Sequence, residues 1–396
     1  MKFAFWILLC FYGLLVGAEP QVVYLTWTQD PTSTMTIQWH TAPGDAQQLT
    51  YITKNAARKT VESKFHTIEG ADVNVHTVHL DGLAEDSVYL FKIEGSETEY
   101  KFRTLPKTLD RPIRFAIGGD IYYIRNNEVF YKKNQMIADQ DPDFIVAGGD
   151  LAYTKGEKQF LKGRKWEMSQ WQGFLAGQQS IKGKDGRMIP LLVIVGNHDV
   201  AKPKHKTPHP DMFFEIFTFP ELKKAYRCLD FGNYLSLVLL DSDHHTRIEG
   251  KQTKWLKKTL EESKEMPYLL TAYHVAAYPS RNPYSDKIPV KLRMHWSPLF
   301  EKYHVPCAFE HHNHSYKRTH PIKNGKIDAS GVTYLGDGSW GVEPCPVKSP
   351  NELWYLLKSE SINMCYIVTI TKEKCLVEAK NVQGEVFDKV EFLPRS

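Results

Sequence analysis

Five stretches of this 396-residue chain place metal-binding side chain types just after apolar runs. Residues 113–117 lead into Gly118-Gly119-Asp120, residues 144–147 into Gly148-Gly149-Asp150-Leu151-Ala152-Tyr153, and residues 191–195 into Gly196-Asn197-His198-Asp199. Residues 268–273 lead into His274, and residues 306–310 into His311-His312-Asn313-His314. A lone Gly-Asp after a strand is an ordinary turn. Together, Asp120, Asp150, Tyr153, Asn197, His274, His312 and His314 offer the carboxylate, phenolate, amide and imidazole donors that hard and borderline cations take. A glycine precedes three of the ends, which suits tight turns that aim the next side chain inward. The pattern predicts that these strand ends gather into a metal-binding cluster.

The elements that must position this cluster are legible in the periodicity. From residue 113 onward, longer apolar strands alternate with helix-like segments, the pattern of an α/β layer architecture. In open sheets, sites form beyond the carboxyl ends of the strands, so the five ends should converge on one crevice. Between Val22 and Thr104 the runs are short, rich in β-branched and aromatic residues, alternating, and separated by turn residues, which predicts an antiparallel β-sandwich of roughly 85 residues. The Trp39 run, Leu80-x-Gly82-Leu83 and Tyr89-x-Phe91 resemble a fibronectin type III fold. Residues 105–112 form a Pro-bounded linker, so the chain divides into 1–18, 19–105 and 106–396.

Residues 1–18 carry an early Lys2, an apolar stretch too short to span a bilayer, and a Val16-x-Ala18 end. This reads as a cleaved signal peptide, with a secreted or periplasmic mature chain starting at Glu19. Five cysteines then remain, which allows at most two disulfides; Cys345, Cys365 and Cys375 are the expected donors, with connectivity open. The net charge of +4, without a long basic run, argues against a nucleic-acid or anionic-membrane binder driven by bulk charge. With 42% hydrophobic residues, a disordered chain is excluded. Nothing in the sequence fixes an oligomeric state.

The blocks, in this order, resemble the metallophosphoesterases of the calcineurin-like fold, and specifically the purple acid phosphatases, which show G-D, G-D-x-x-Y, G-N-H-D/E, a strand-end His and G-H-x-H. Tyr153, three residues after Asp150, is the most discriminating match. The resemblance implies a metallophosphoesterase β-sandwich core flanked by helices, of α/β (α+β) class, in 106–396. The fibronectin type III-like domain would precede it. It implies iron(III) held by Asp120, Asp150, Tyr153 and His314, with the phenolate giving a charge-transfer colour. A second, divalent ion (zinc, iron or manganese) would be held by Asp150, Asn197, His274 and His312, with Asp150 bridging. Such a centre supplies a metal hydroxide for in-line attack at phosphorus. His198 would stabilise the phosphate and protonate the leaving alcohol, work suited to an imidazolium in mild acid. The plainer alternative has His198 bonded to Asp199 only to hold the turn. The implied activity is that of a secreted acid phosphatase acting on phosphate monoesters.

Departures from the family pattern bear on substrate choice. Tyr122 replaces the second glycine of the first block, which should make the loop over the first metal tighter or more aromatic. His311 replaces the glycine of the last block, with a supporting role toward the ligands expected of it. Ala276-Ala277-Tyr278 stands where Pro-Trp-Tyr is common, which widens that edge, and residues 279–284 show no match for the family's substrate-side histidines. Tyr316-Lys317-Arg318-Thr319 stands where relatives have Tyr-Glu-Arg-Thr, and Tyr316 and Arg318 are expected to support the ligands. Asp241-Ser242-Asp243-His244-His245 reads as a solvated turn, with the crevice lining as its alternative. Two other functions stay open: a metal-dependent phosphodiesterase or nucleotidase, and a non-catalytic binding module whose metal domain is vestigial.

Overall fold

The computed structural model describes residues 19–44, 46–53, 57–122, 127–155, 162–201, 210–221, 224–336 and 338–395. The stretch read as a signal peptide, with Cys10, lies outside the described residues. The N-terminal runs form β1 (Val22–Thr26), β2 (Met35–Thr41), β3 (Gln48–Ile52), β4 (Arg58–Glu62), β5 (Lys64–Ile68), β6 (Val73–Leu80), β7 (Val88–Ile93) and β8 (Glu99–Arg103). They pair antiparallel as two sheets, β1-β2-β6-β5 and β4-β3-β7-β8. Side-chain alternation separates the faces: β7 buries Tyr89, Phe91 and Ile93 and exposes Val88 and Lys92. The buried Trp39 donates its indole N–H to Gln47 at 2.6 Å, which satisfies the ring's one polar atom.

The second domain contains β9 (Ile113–Gly118), β10 (Phe144–Ala147), β11 (Leu191–Val193), β12 (Arg227–Phe231), β13 (Leu235–Leu239), β14 (Tyr268–Val275) and β15 (Cys307–His311). It continues with β16 (Tyr316–Thr319), β17 (Ile322–Lys323), β18 (Lys326–Ile327), β19 (Thr333–Gly336), β20 (Leu356–Glu360), β21 (Cys365–Ile370), β22 (Cys375–Lys380) and β23 (Val386–Phe392). Two mixed sheets result, β11-β10-β9-β21-β22-β23 and β12-β13-β14-β15-β19-β16-β20. Phe115, Phe144 and Val368 from the first share one core with Leu237, Phe309 and Leu335 from the second. Helices α1 (Glu128–Asp139), α2 (Gly163–Gln179) and α3 (Met212–Ile216) cover the outer face of the first sheet. Helices α4 (Thr253–Glu262), α5 (Lys287–His295) and α6 (Ser297–Lys302) cover that of the second. Strands covered on both faces explain the unbroken apolar runs in the sequence.

The five strand ends of interest therefore belong to two sheets, not one open sheet: β9, β10 and β11 in the first, β14 and β15 in the second. The domains share their core. Trp27 stands edge-on to Phe144 and Phe231, with centroids 6.0 Å away in both cases. Beside this seam Arg111 pairs with Asp86 at 3.0 Å and Asp143 at 2.8 Å.

The disulfide expectation is corrected. All five described cysteines are free thiols. Cys365 and Cys375 lie at opposite ends of the β21–β22 pairing, across from Lys380 and Ile370, so the antiparallel register keeps them apart. No described helix is long and apolar enough to cross a membrane.

Candidate metal centre

Asp120, Asp150, Tyr153, His312 and His314 all take positive φ, at 58°, 52°, 48°, 82° and 52°. The left-handed region is unfavourable for residues with a Cβ, and such backbone persists where the surroundings over-determine it. Two close approaches enforce the local path. A Cβ on Gly196 would lie 2.2 Å from the backbone N and from Oδ1 of Asp150, and one on Gly148 would lie 2.1 Å from His311 Nε2.

Two donor groups result. In one, Tyr153 Oη lies 3.1 Å from Asp120 Oδ1 and 2.9 Å from His314 Nε2, and that nitrogen lies 3.0 Å from the same carboxylate oxygen. Two ligands about 2.1 Å from one ion and at right angles are about 3 Å apart. In the other, Asp150, His274 and His312 present ligand atoms that all lie within 4.8 Å of one another. His274 Nδ1 lies 2.9 Å from the Gly148 carbonyl. A carbonyl only accepts, so Nδ1 carries the hydrogen and Nε2 keeps a lone pair when the ring is neutral. That Nε2 lies 3.3 Å from Asp150 Oδ2, and His312 Nδ1 and Asn197 Oδ1 are buried without a hydrogen-bond partner. Unpartnered buried polar atoms are costly, and these two belong to residues that line one cleft.

The electrostatics agree. Burial alone would raise the Asp150 carboxyl, but His274, His198 and His312 hold it well below the usual range. Burial opposes charge on His274 too, yet Asp150 lifts it to about 10. Burial takes His312 down to about 4. Without a cation, the carboxylates and imidazoles stabilise one another by sharing protons, the role bound metals take over when ligands lose them. The donor chemistry and the unpartnered atoms fit a two-cation centre.

His198 does not bond to Asp199, so the turn-holding alternative has no support in the geometry. Its backbone N–H donates to Asp150 Oδ1 at 2.7 Å, its Nδ1 lies 2.5 Å from the Lys155 carbonyl, and its ring stacks on Tyr153 at 4.7 Å. Asp199 instead accepts the N–H groups of Asp150 at 2.9 Å, Leu151 at 2.8 Å and Gly196 at 2.8 Å, clamping two ligand loops together.

Other expectations differ from the structure. Both ring nitrogens of His311 are buried and unbonded, and burial drives the ring's pKa to about 3. The imidazole fills space under Gly148 and makes no hydrogen bond to a ligand. Tyr316 and Arg318 both bind Asp388 of β23, so they brace the sheet rather than the ligands. Tyr122 turns into the helix-side core, edge-on to Phe130 at 5.2 Å.

Sequence reasoning passed over the pair Glu310–Lys317, fully buried on both sides. Glu310 also accepts Tyr273 Oη–H at 2.6 Å and Ala277 N–H at 2.7 Å, and Lys317 reaches the Tyr278 carbonyl. The network ties the loop after His274 to the strand before His312. Its signal was the lysine where relatives carry glutamate, with Glu310 ending an apolar run. The 241–245 segment is mostly buried, not solvated. Asp243 and His244 line a cleft of about 470 Å³ together with Asn197, Ala276 and His312.

Residues 113–321, more than half of the chain, match the family model described as calcineurin-like phosphoesterase. The chain belongs to the calcineurin-like phosphoesterases. In this phosphoesterase, residues 20–104 match the purple acid phosphatase N-terminal domain. It is similar to purple acid phosphatase 18 of Arabidopsis thaliana, 22% identical and covering 85% of this chain and 73% of that one. It is 26% identical to probable inactive purple acid phosphatase 24 of the same plant over 64% of this chain and 44% of that one. It is 24% identical to a nucleotide pyrophosphatase/phosphodiesterase of Hordeum vulgare over 73% and 85%. The solved purple acid phosphatase from yellow lupin (Lupinus luteus) seeds shares the phosphoesterase fold, with TM-score 0.79, 18% identity, and 95% of this chain and 74% of that one covered. A purple acid phosphatase-like phosphoesterase fold implies a binuclear metal centre.

Proposed function

We propose that this phosphoesterase is a secreted acid phosphatase that hydrolyses phosphate monoesters in mild acid. The observation that carries the reading is the pair of donor groups, Asp120–Tyr153–His314 and Asp150–His274–His312, with unpartnered buried atoms on Asn197 and His312 and the His198 N–H on Asp150. Iron(III) suits Asp120, Asp150, Tyr153 and His314, and a divalent zinc, iron or manganese suits Asp150, Asn197, His274 and His312. Bound there, the two cations would supply Lewis-acid polarisation of a phosphoryl oxygen and a more acidic water. With its Nδ1–H on the Lys155 carbonyl, His198 keeps Nε2 for the ester, and an imidazolium there can give its proton to the leaving alcohol. Asp199 holds the Asp150 and Asn197 loops in register while the substrate binds.

Hydrolysis of a chromogenic monoester by the metal-loaded protein, followed across about pH 4 to 8 beside His198→Ala, tests this. Turnover favoured by acid, falling about 10²- to 10⁴-fold in the variant, is the expected result. Absence of turnover in protein carrying two metal ions would overturn it. The cleft at Ala276 favours a second reading, hydrolysis of phosphodiesters or nucleotides, and the ratio of rates on a monoester and its diester separates the two.

A further inference from the structure

The loop 241–246 carries none of the seven ligand candidates, and its hydrogen bonds fix one side chain. Fully buried Asp241 accepts the N–H groups of His244 at 2.9 Å and His245 at 3.0 Å, and that of Thr246. Its own N–H donates to Gln252 at 2.9 Å. Asp243 sits at φ 73°, accepts the Ile248 N–H at 3.1 Å and pairs with Lys291 at 2.8 Å. Ser242 Oγ accepts the N–H of Val275, the residue after His274, at 2.9 Å and lies 3.2 Å from His244 Nε2. A strained backbone held at so many points is a pre-organised support.

What it supports is the imidazole of His244, whose centroid lies 5.5 Å from that of His274. His244 lines the cleft with Asn197 and His312, on the His274 side of the centre, whereas His198 stands on the Tyr153 side. When Ser242 gives its hydroxyl hydrogen to Nε2, the ring N–H falls on Nδ1. We propose that His244 is a substrate-binding residue, whose Nδ1–H donates to a non-bridging oxygen of the phosphate ester from the side opposite His198. This rests on the monoesterase reading above.

The test compares His244→Ala, His244→Phe and His244→Asn with the wild type, all metal-loaded, for inorganic phosphate affinity, for kcat and KM on a chromogenic monoester, and for bound metal. Phenylalanine fills the space without a donor, and asparagine keeps an N–H near the Nδ1 position. The expected result is phosphate affinity and kcat/KM lower by about 10- to 100-fold in the Ala and Phe variants, recovery in the Asn variant, and two metals throughout. Phosphate affinity and kcat/KM unchanged in His244→Phe would overturn the assignment. So would loss of metal in the Ala and Phe variants, which would make His244 a prop for His274. A wild type without turnover would sink the monoesterase reading alone, because phosphate affinity still ranks the variants.

Discussion

Three backbone N–H groups from two loops end on one buried carboxylate, Asp199. Asparagine at this position keeps one acceptor oxygen and turns a donor toward N–H groups that need an acceptor. Asp199→Asn is expected to lower the stability of the metal-free protein by about 1–3 kcal/mol and to weaken metal binding, read by denaturant unfolding and chelator competition. Unchanged values in both would remove Asp199 from the support of the centre. At this scale the sequence was informative about chemical type and poor about direction. The ligand types stood out because carboxylate, phenol, amide and imidazole followed apolar runs. Tyr316 and Arg318 were misread because neighbours in sequence point opposite ways along a strand: Lys317 of β16 faces Glu310 while Tyr316 and Arg318 face Asp388.

Elements carry these residues to a common place, and the Glu310–Lys317 pair holds two of them in step. Lys317→Met leaves Glu310 buried without its cation, and a loss of about 3–5 kcal/mol is expected. The double change Glu310→Gln with Lys317→Met should recover most of that loss, because a buried pair replaced on both sides is often close to neutral. A urea-unfolding mutant cycle measures it, and additive single effects would show that the two side chains do not act as a unit. The individual strands were legible, since continuous apolar runs mark burial on both faces. Their division between two sheets was not, because it depends on distant pairings. β21, near the C-terminus, lies beside β9, and no local signal announces that neighbour.

At the scale of the whole molecule, among the described residues Lys133 Nζ, within α1, is a fully enclosed cation with no hydrogen-bond partner. Burial lowers its pKa to about 8, against about 10.4 in the unfolded chain. Below pH 8 both states are protonated, and the folded one bears the whole burial penalty. Between about 8 and 10.4 the unfolded chain holds more protons, so this group's contribution to stability improves as pH rises. Lys133→Met should therefore be more stable than the wild type by on the order of 2–3 kcal/mol at pH 7, with the gap closing toward pH 10. Thermal unfolding of both proteins at several pH values gives the comparison, and a constant gap would refute the burial account. The change from short alternating runs to longer apolar strands was visible in the sequence, but the packing of Trp27 against Phe144 and Phe231 was not, since those partners lie more than a hundred residues away. The left-handed backbone at Asp120, Asp150, Tyr153, His312 and His314 has an evolutionary consequence. At each of these positions glycine would remove the donor and relieve the backbone together. Drift under selection for folding alone leads toward a stable and silent protein, so a lineage that keeps all five side chains records continuing selection for what they do together.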